Sequence, residues 1–331
     1  MTEDRTCGVS RRQALGLVAG AGAAVAMPSI ARAAQVNWIG ASAVPQSDFI
    51  AQALDVFAQR VGELTKGQLV VTNHHAGSLG GEREHVEGLL QGSVHVASPG
   101  QGLVAGWYKP AEVWTYPYLF KDVPHKNRVW DVLRDDYTAD LVKQAKLRTL
   151  AAIPRMPRML SCNKVVKSPA DMKGLKIRVP ETALWRRTFE LMGASPTPLP
   201  FPEVFTSLKS GIIDGQENPL ALTYNAGIFE VNTHLSLTEH MMQDNCLITS
   251  QAAYQALSPD MQKAVDQASR DMEADLRPKV EADDKSILDK IKEKKIVISE
   301  VDKDAFRQSV AKIGEEFPAG KKWVDRIREI N

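Results

Sequence analysis

The sequence is short of the signatures that most enzymes carry. It has no G-x-S-x-G elbow, no GxxxxGK(S/T) loop, no H-E-x-x-H and no C-x-x-C. The usual marks of elbow hydrolases, P-loop proteins, zinc peptidases and dithiol redox proteins are therefore missing. The glycines of "AGAGAA" lie in the N-terminal leader, so they are not a dinucleotide fingerprint. Cysteine is scarce, three in 331 residues. Cys7 belongs to the leader, which leaves Cys162 and Cys246 in two strand-like segments. In an oxidising compartment these two can pair, but nothing in their spacing demands it, and two buried free thiols are the simpler expectation. No lysine- or arginine-rich run is present, which removes the electrostatic footprint of nucleic-acid binding. No stretch beyond the leader has 18 consecutive apolar residues, so the mature chain is expected to hold no integral membrane segment. Histidines 74, 75, 85 and 95 lack acidic or cysteine partners at metal-ligand spacing. His85 is expected on a helix surface, whereas His74 and His75 end a strand where a ligand could meet them. No metal and no cofactor are expected.

What is present begins with the leader. "SRRQALGLVAGAGAAVAMPSIARAA" places Arg11 and Arg12 before a soft apolar run, and Ala31-Arg32-Ala33 has the small-x-small pattern of a cleavage site. The start resembles a twin-arginine export signal, with an ordinary secretory signal as the alternative. Residues 1–33 are thus expected to be removed and the mature protein to be periplasmic. The four arginines and two carboxylates in those residues take the net charge from +1 for the whole chain to −1 for the remainder. With 44% apolar and 24% charged residues, the remainder has the balance of a globular protein and the length for two domains.

Strand and helix patterns alternate from Val36 onward. "VNWIGAS", "QLVVTNHH" and "VHVASPG" read as strands. "SDFIAQALDVFAQRVGELTKG" and "GGEREHVEGLLQG" read as the helices between them. This β-α-β-α-β order predicts an α/β fold with a mostly parallel, doubly wound sheet, in which ligands collect beyond the carboxyl ends of strands. A second unit repeats the alternation, with "RMLSCNKVV" and "LKIRVP" as strands, "ALWRRTFELMG" and "PEVFTSLKSG" as helices, and "SPTPLPF" as an extended crossing. From Ser258 to Lys295 a very long helical pattern follows, capped by Ser258 with Pro259 at its first position. Pro278 is expected to kink or interrupt it. "KIVISE" is a late strand and "GKKWVDRIREI" a closing helix.

Two places look chemically pointed. In "GLKIRVPET", Leu175, Ile177 and Val179 alternate with Lys176 and Arg178, and Pro180 ends the strand. Arg178 thus stands at a strand's carboxyl end, and Arg158 stands at the start of a neighbouring strand. Each is either a solvated charge or one arm of a planar fork aimed at a carboxylate. In "SGIIDGQENP", Ile212 and Ile213 read as a short buried strand. Asp214-Gly215 reads as a turn, and Gln216-Glu217-Asn218 as a loop. Asn218 then either caps the helix that Pro219 opens or binds a guest.

The stretch "GLKIRVPETALWRRTFELMGASPTPLPFPEVFTSLKSGIIDGQENP" resembles the signature region of the extracytoplasmic solute receptors of TRAP transporters. Weaker matches in "GSLGGERE", "LLQGSVHVA", "YPYLFKD", "LSLTEH" and "LSPDMQKAV" extend the resemblance over nearly all of the mature chain. It implies the two-lobed periplasmic binding protein fold, each lobe a mostly parallel sheet flanked by helices, with hinge strands and a long helix spanning both lobes. Lobe I is expected at 34–155 plus 244–283, and lobe II at 156–243 plus 284–331. The resemblance implies an organic acid in the cleft, delivered to membrane permease subunits, with no bond broken. The signature arginine falls on Arg178, a second arginine on Arg158, the cleft aromatic on Phe201, the amide on Asn218 beside Glu217, and a polar strand residue on Asn245. Glu82 of "GSLGGERE" joins this set. Gln101, with Gly100, occupies the segment where sialic-acid receptors carry an acid. Trp185 is either an apolar cleft wall or helix core. The alternatives are an exported enzyme, which cofactor absorption or metal content would reveal, and a ligand sensor for a membrane kinase, which only its partner would reveal.

Overall fold

The computed structural model describes residues Gln35–Asn331. The expected export leader, residues 1–33, lies outside these residues. Two sheets carry the fold. The first orders its strands β2-β1-β3-β10-β4, from β1 (Val36–Ala41), β2 (Leu69–His74), β3 (Val96–Ala97), β4 (Leu147–Ile153) and β10 (Asn245–Ser250). The second orders β11-β9-β5-β8-β6-β7. Its strands are β5 (Arg158–Cys162), β6 (Lys176–Val179), β7 (Ser195–Pro198), β8 (Gly215–Pro219), β9 (His234–Met241) and β11 (Val297–Ser299). Each sheet contains one reversed strand. β10 runs antiparallel to both β3 and β4, and β5 runs antiparallel to both β8 and β9. These reversed strands follow two of the places where the chain leaves one sheet for the other, between β4 and β5 and between β9 and β10.

Helices flank the sheets: α1 (Phe49–Leu64), α2 (Glu82–Gln91), α3 (Val123–Ala145), α4 (Ala183–Leu191), α5 (Val204–Lys209), α6 (Leu220–Asn225), α7 (Gln251–Gln255) and α8 (Pro259–Glu293). The Asp48 carboxylate accepts from the Ile50 amide 2.9 Å away and caps α1, and the helix buries Leu54, Phe57 and Val61 on one stripe. α8 is capped by Ser258, and its 35 helical residues continue unbroken through Pro278. Proline costs a helix-interior hydrogen bond, but packing on both sides holds the helix. Met261, Val265, Met272 and Leu276 join the core of the first sheet, while Ile287 and Ile291 join Leu220, Phe229 and Leu235 beside the second. α8 therefore spans both sheets.

Four local expectations need correction. "SPTPLPF" contains an edge strand, β7, parallel to β6; prolines are tolerated there because an edge strand has one side without ladder partners. The "SGIIDGQENP" segment is shifted by three residues. Ile212 is 58% exposed, and the strand is Gly215–Pro219 itself, buried throughout. Its polar side chains are satisfied by one another, by β5, by His240 of β9 and by Thr223 of α6, so hydrophobic periodicity does not reveal it. His85 is buried on α2 at 1% exposure, and burial pushes its pKa down to about 4. The C-terminal helix Lys321–Glu329 packs Trp323, Val324 and Ile327 into the aromatic cluster of Trp114, Trp130 and Tyr137, on the first-sheet side, where 284–331 was expected with the second. Cys162 and Cys246 are both free and buried. Among the described residues no helix is long and apolar enough to cross a membrane.

Candidate functional site

A narrow cleft lies between the two sheets. It is bounded on one side by Glu82, Gly100, Leu103 and Asn245, and on the other by Arg158, Arg178, Trp185, Phe201 and Asn218. The two sides meet at its mouth. Arg83 of α2 donates to the Glu181 carbonyl at 3.4 Å, and a methyl group placed on Gly81 would lie 3.1 Å from Pro200.

Arg158 is held on every side. Its Nε donates to Glu217 Oε2 at 2.5 Å and its Nη2 to Glu217 Oε1 at 2.9 Å. Nη2 also donates to Asn218 Oδ1 at 2.7 Å. The Trp185 ring lies 5.1 Å from its guanidinium. His240 Nε2 meets the same Glu217 carboxylate at 3.0 Å. Burial on its own would raise the Glu217 pKa, but Arg158 and His240 outweigh burial and hold it down to about 2. This arginine is an ion pair already made.

Arg178 is arranged differently. β6 puts it at 4% exposure, with the Phe201 ring 5.7 Å from its guanidinium. Its Nε donates to the Leu199 carbonyl at 2.9 Å. Among the described residues neither Nη donates to anything and no carboxylate pairs with it. Burial lowers its pKa to about 10, which still leaves it charged at neutral pH. A buried, unpaired cation is costly unless a counter-charge arrives. The arrangement is that of a receptor for an anion, with two donors held ready.

The other wall holds Glu82 at the start of α2. Burial raises its pKa, opposed by Arg178, the Gly100 amide, Arg158 and the Asn245 amide. Glu82 makes no ion pair among the described residues. Asn245 donates to the Ser98 carbonyl at 2.9 Å, which leaves its side-chain oxygen uncommitted.

Residues 40–320 match the family described as bacterial extracellular solute-binding protein, family 7. The chain belongs to this family. Among relatives of this solute-binding protein is the 2,3-diketo-L-gulonate-binding periplasmic protein of Escherichia coli, 31% identical over 80% of this chain and 81% of the relative. A TRAP periplasmic solute-binding protein of Roseobacter denitrificans, solved with bound L-galactonate, superposes with a TM-score of 0.82 at 29% identity, covering 88% of this chain and 99% of that one. One from Chromohalobacter salexigens with bound D-glucuronate superposes at 0.84, with 29% identity over 89% of this chain and 100% of that one.

Of the residues singled out from the sequence of this solute-binding protein, seven line the cleft: Arg178, Arg158, Asn218, Phe201, Asn245, Trp185 and Glu82. Trp185 is also helix core, so its two readings hold together. Glu217 lies behind Arg158, bonded to it and absent from the cleft lining. Asn218 is not a helix cap; it sits in β8 and is spent on Arg158 and on Gln216. Gln101 is buried but absent from the cleft lining, and its amide nitrogen has no partner. His74 and His75 are absent from the lining too, and His75 faces Asp55 at 2.9 Å. Arg155 was missed. It lines the cleft and pairs with Asp48 at 2.7 Å, and it follows Pro154 at the end of β4, so the strand-end rule that singled out Arg178 applies to it equally. Gln243 was missed as well; it precedes β10 in a segment with no periodic signal.

Proposed function

We propose that this chain is the periplasmic receptor of a TRAP transporter and that it closes on a sugar acid, an aldonate or uronate of about six carbons. One observation carries the reading: Arg178 is buried on the cleft wall, and among the described residues both its Nη atoms are uncommitted and no carboxylate lies within ion-pair distance. A ligand carboxylate completes that site with two parallel hydrogen bonds. The sugar acids bound by three relatives fit the same chemistry. Residues 1–33 are the export signal in this reading, of twin-arginine type. Residues 34–155 with 244–283 and 156–243 with 284–331 are the two lobes, with the C-terminal helix docked across onto the first. The crossovers near residues 154–157 and 242–244 are the hinges. Contacts from both lobes to one ligand favour the closed state, and the closed receptor is what the membrane permease receives. The function is capture and delivery, with no catalytic step.

The test is a thermal-shift screen of purified mature protein against L-galactonate, D-glucuronate, D-galacturonate, short dicarboxylates, keto acids and aromatic acids. A ligand that binds only the native state raises the melting temperature, by mass action. A shift with at least one sugar acid and none with the other classes supports the reading. Shifts confined to another class overturn it.

A further inference from the structure

The charged groups of the cleft are not equivalent, and their pairing limits the ligand more than their number does. Three arginines line the cavity: Arg155, Arg158 and Arg178. Arg155 is neutralised by Asp48, which is fully buried. Arg158 is neutralised by Glu217, also fully buried. Neither has a positive charge left for a guest. Among the described residues Arg178 is the one of the three with no carboxylate within ion-pair distance. Against it stands one unpaired anion on the facing lobe, Glu82.

From this pairing we infer that the receptor is selective for monocarboxylates, and that Glu82 sets this selectivity by accepting hydrogen bonds from ligand hydroxyls and repelling a second carboxylate. The inference rests on the sugar-acid reading for the hydroxyls, but its charge argument holds for any acid. An ionised carboxylate is an acceptor only, so it matches a polyol, whose hydroxyls donate. The Asn245 side chain beside Glu82 has its oxygen uncommitted, and it adds a second acceptor on the same wall. A ligand with its carboxylate on Arg178 therefore presents its hydroxyl-bearing end to Glu82. A diacid of equal length presents its second carboxylate there. Two like charges in a water-poor cleft repel by several kcal/mol in comparable interfaces. Among the described residues lining the cleft there is no second free cation to offset them.

The experiment compares acids that differ only at the far end. Calorimetric titration is run with L-galactonate and its diacid galactarate, and with pentanoate and glutarate as a pair without sugar hydroxyls. The parent is expected to bind the monocarboxylate of the responding pair at least ~100-fold more tightly than the diacid. Glu82→Gln keeps the shape and removes the charge, and its melting curve shows whether it is folded. In the folded variant the gap is expected to shrink at least ~10-fold, because the diacid gains and the monocarboxylate loses. A parent that binds diacid and monoacid within about threefold overturns the inference without any variant. A Glu82→Gln protein that melts normally and keeps the full gap also overturns it, since shape and not charge then excludes the diacid. If pentanoate binds and galactonate does not, the sugar-acid reading falls, and the pentanoate–glutarate gap still decides the role of Glu82.

Discussion

Removing the Arg178 guanidinium should abolish tight binding while leaving the fold intact. The side chain is buried, its single hydrogen bond is to the Leu199 carbonyl, and its ring neighbour is Phe201. With a pKa of about 10 it carries its charge throughout the neutral range. A ligand carboxylate against it forms a buried ion pair, and deleting one partner of such a pair costs roughly 3–5 kcal/mol. At about 1.4 kcal/mol per decade, Arg178→Ala should bind roughly 100- to 4000-fold more weakly. Arg178→Lys should recover only part of that loss, because an ammonium cannot present two parallel donors. Without ligand the guanidinium is buried with no direct ion pair, and burial outweighs the help of Glu217, Glu82 and Glu181, so the alanine variant should melt close to the parent. The assay is calorimetric titration with the ligand found by thermal shift, alongside melting curves of both variants. Binding within threefold of the parent in both would show that Arg178 is an ordinary strand-end charge.

Three further outcomes follow from other groups. Glu217 is held at a pKa of about 2 in the fold against an ordinary 4.5, so it stabilises the native state above pH 4.5 and this is lost as pH falls toward 2. Glu217→Gln should therefore lower the melting temperature at pH 7 and flatten the acid limb, and an unchanged limb would refute the pairing. Asp284 runs the other way: burial raises its pKa to about 6 from an ordinary 3.8, and one of its oxygens has no partner. The native state then holds the extra proton, and stability falls as pH rises from about 4 through 6. Asp284→Asn should remove that fall and stabilise the protein at pH 7 by up to about 3 kcal/mol, which denaturant titration at pH 5 and pH 7 measures. At the cleft mouth Gly81 has an unstrained φ of −85°, yet an added methyl would press on Glu84 Oε2 of its own helix at 3.0 Å and on Pro200 of the facing side at 3.1 Å. Gly81→Ala should weaken ligand binding by about 1 kcal/mol, roughly fivefold, and lower the melting temperature slightly because the Glu84 cap of α2 must give way as well. Unaltered affinity would mean that this contact plays no part in closure.

The sequence was legible where side chains obey one period. Alternation located β1, β2 and β6, and apolar stripes with caps located α1, α2 and α8. It was not legible at β8, whose residues Gln216, Glu217 and Asn218 are polar and yet wholly buried. A strand whose polar groups satisfy Arg158 and one another gives no hydrophobic signal, and the same chemistry that makes it functional hides it from periodicity. Arg178 was readable as a strand-end charge, but its orientation was not. Whether such an arginine points to solvent or into a cleft depends on the facing sheet, which local pattern does not encode; there the resemblance to solute receptors decided between the readings. His85 failed for a related reason. It shares the buried face of α2 with Val86, Gly88 and Leu89, and which face is buried is set by what the helix packs against, not by its own composition. Pro278 was read by its local cost alone, and the two cores that grip α8 on either side outweigh that cost.

The central claim is that a sugar acid is clasped between the two sheets with its carboxylate on Arg178. A crystal structure of the mature protein with L-galactonate or D-glucuronate tests it directly. The expected result is a carboxylate accepting two hydrogen bonds from the Arg178 Nη atoms, with ligand hydroxyls toward Glu82 and Asn245. A sugar acid bound with its carboxylate away from Arg178, or bound outside this cleft, would contradict the account.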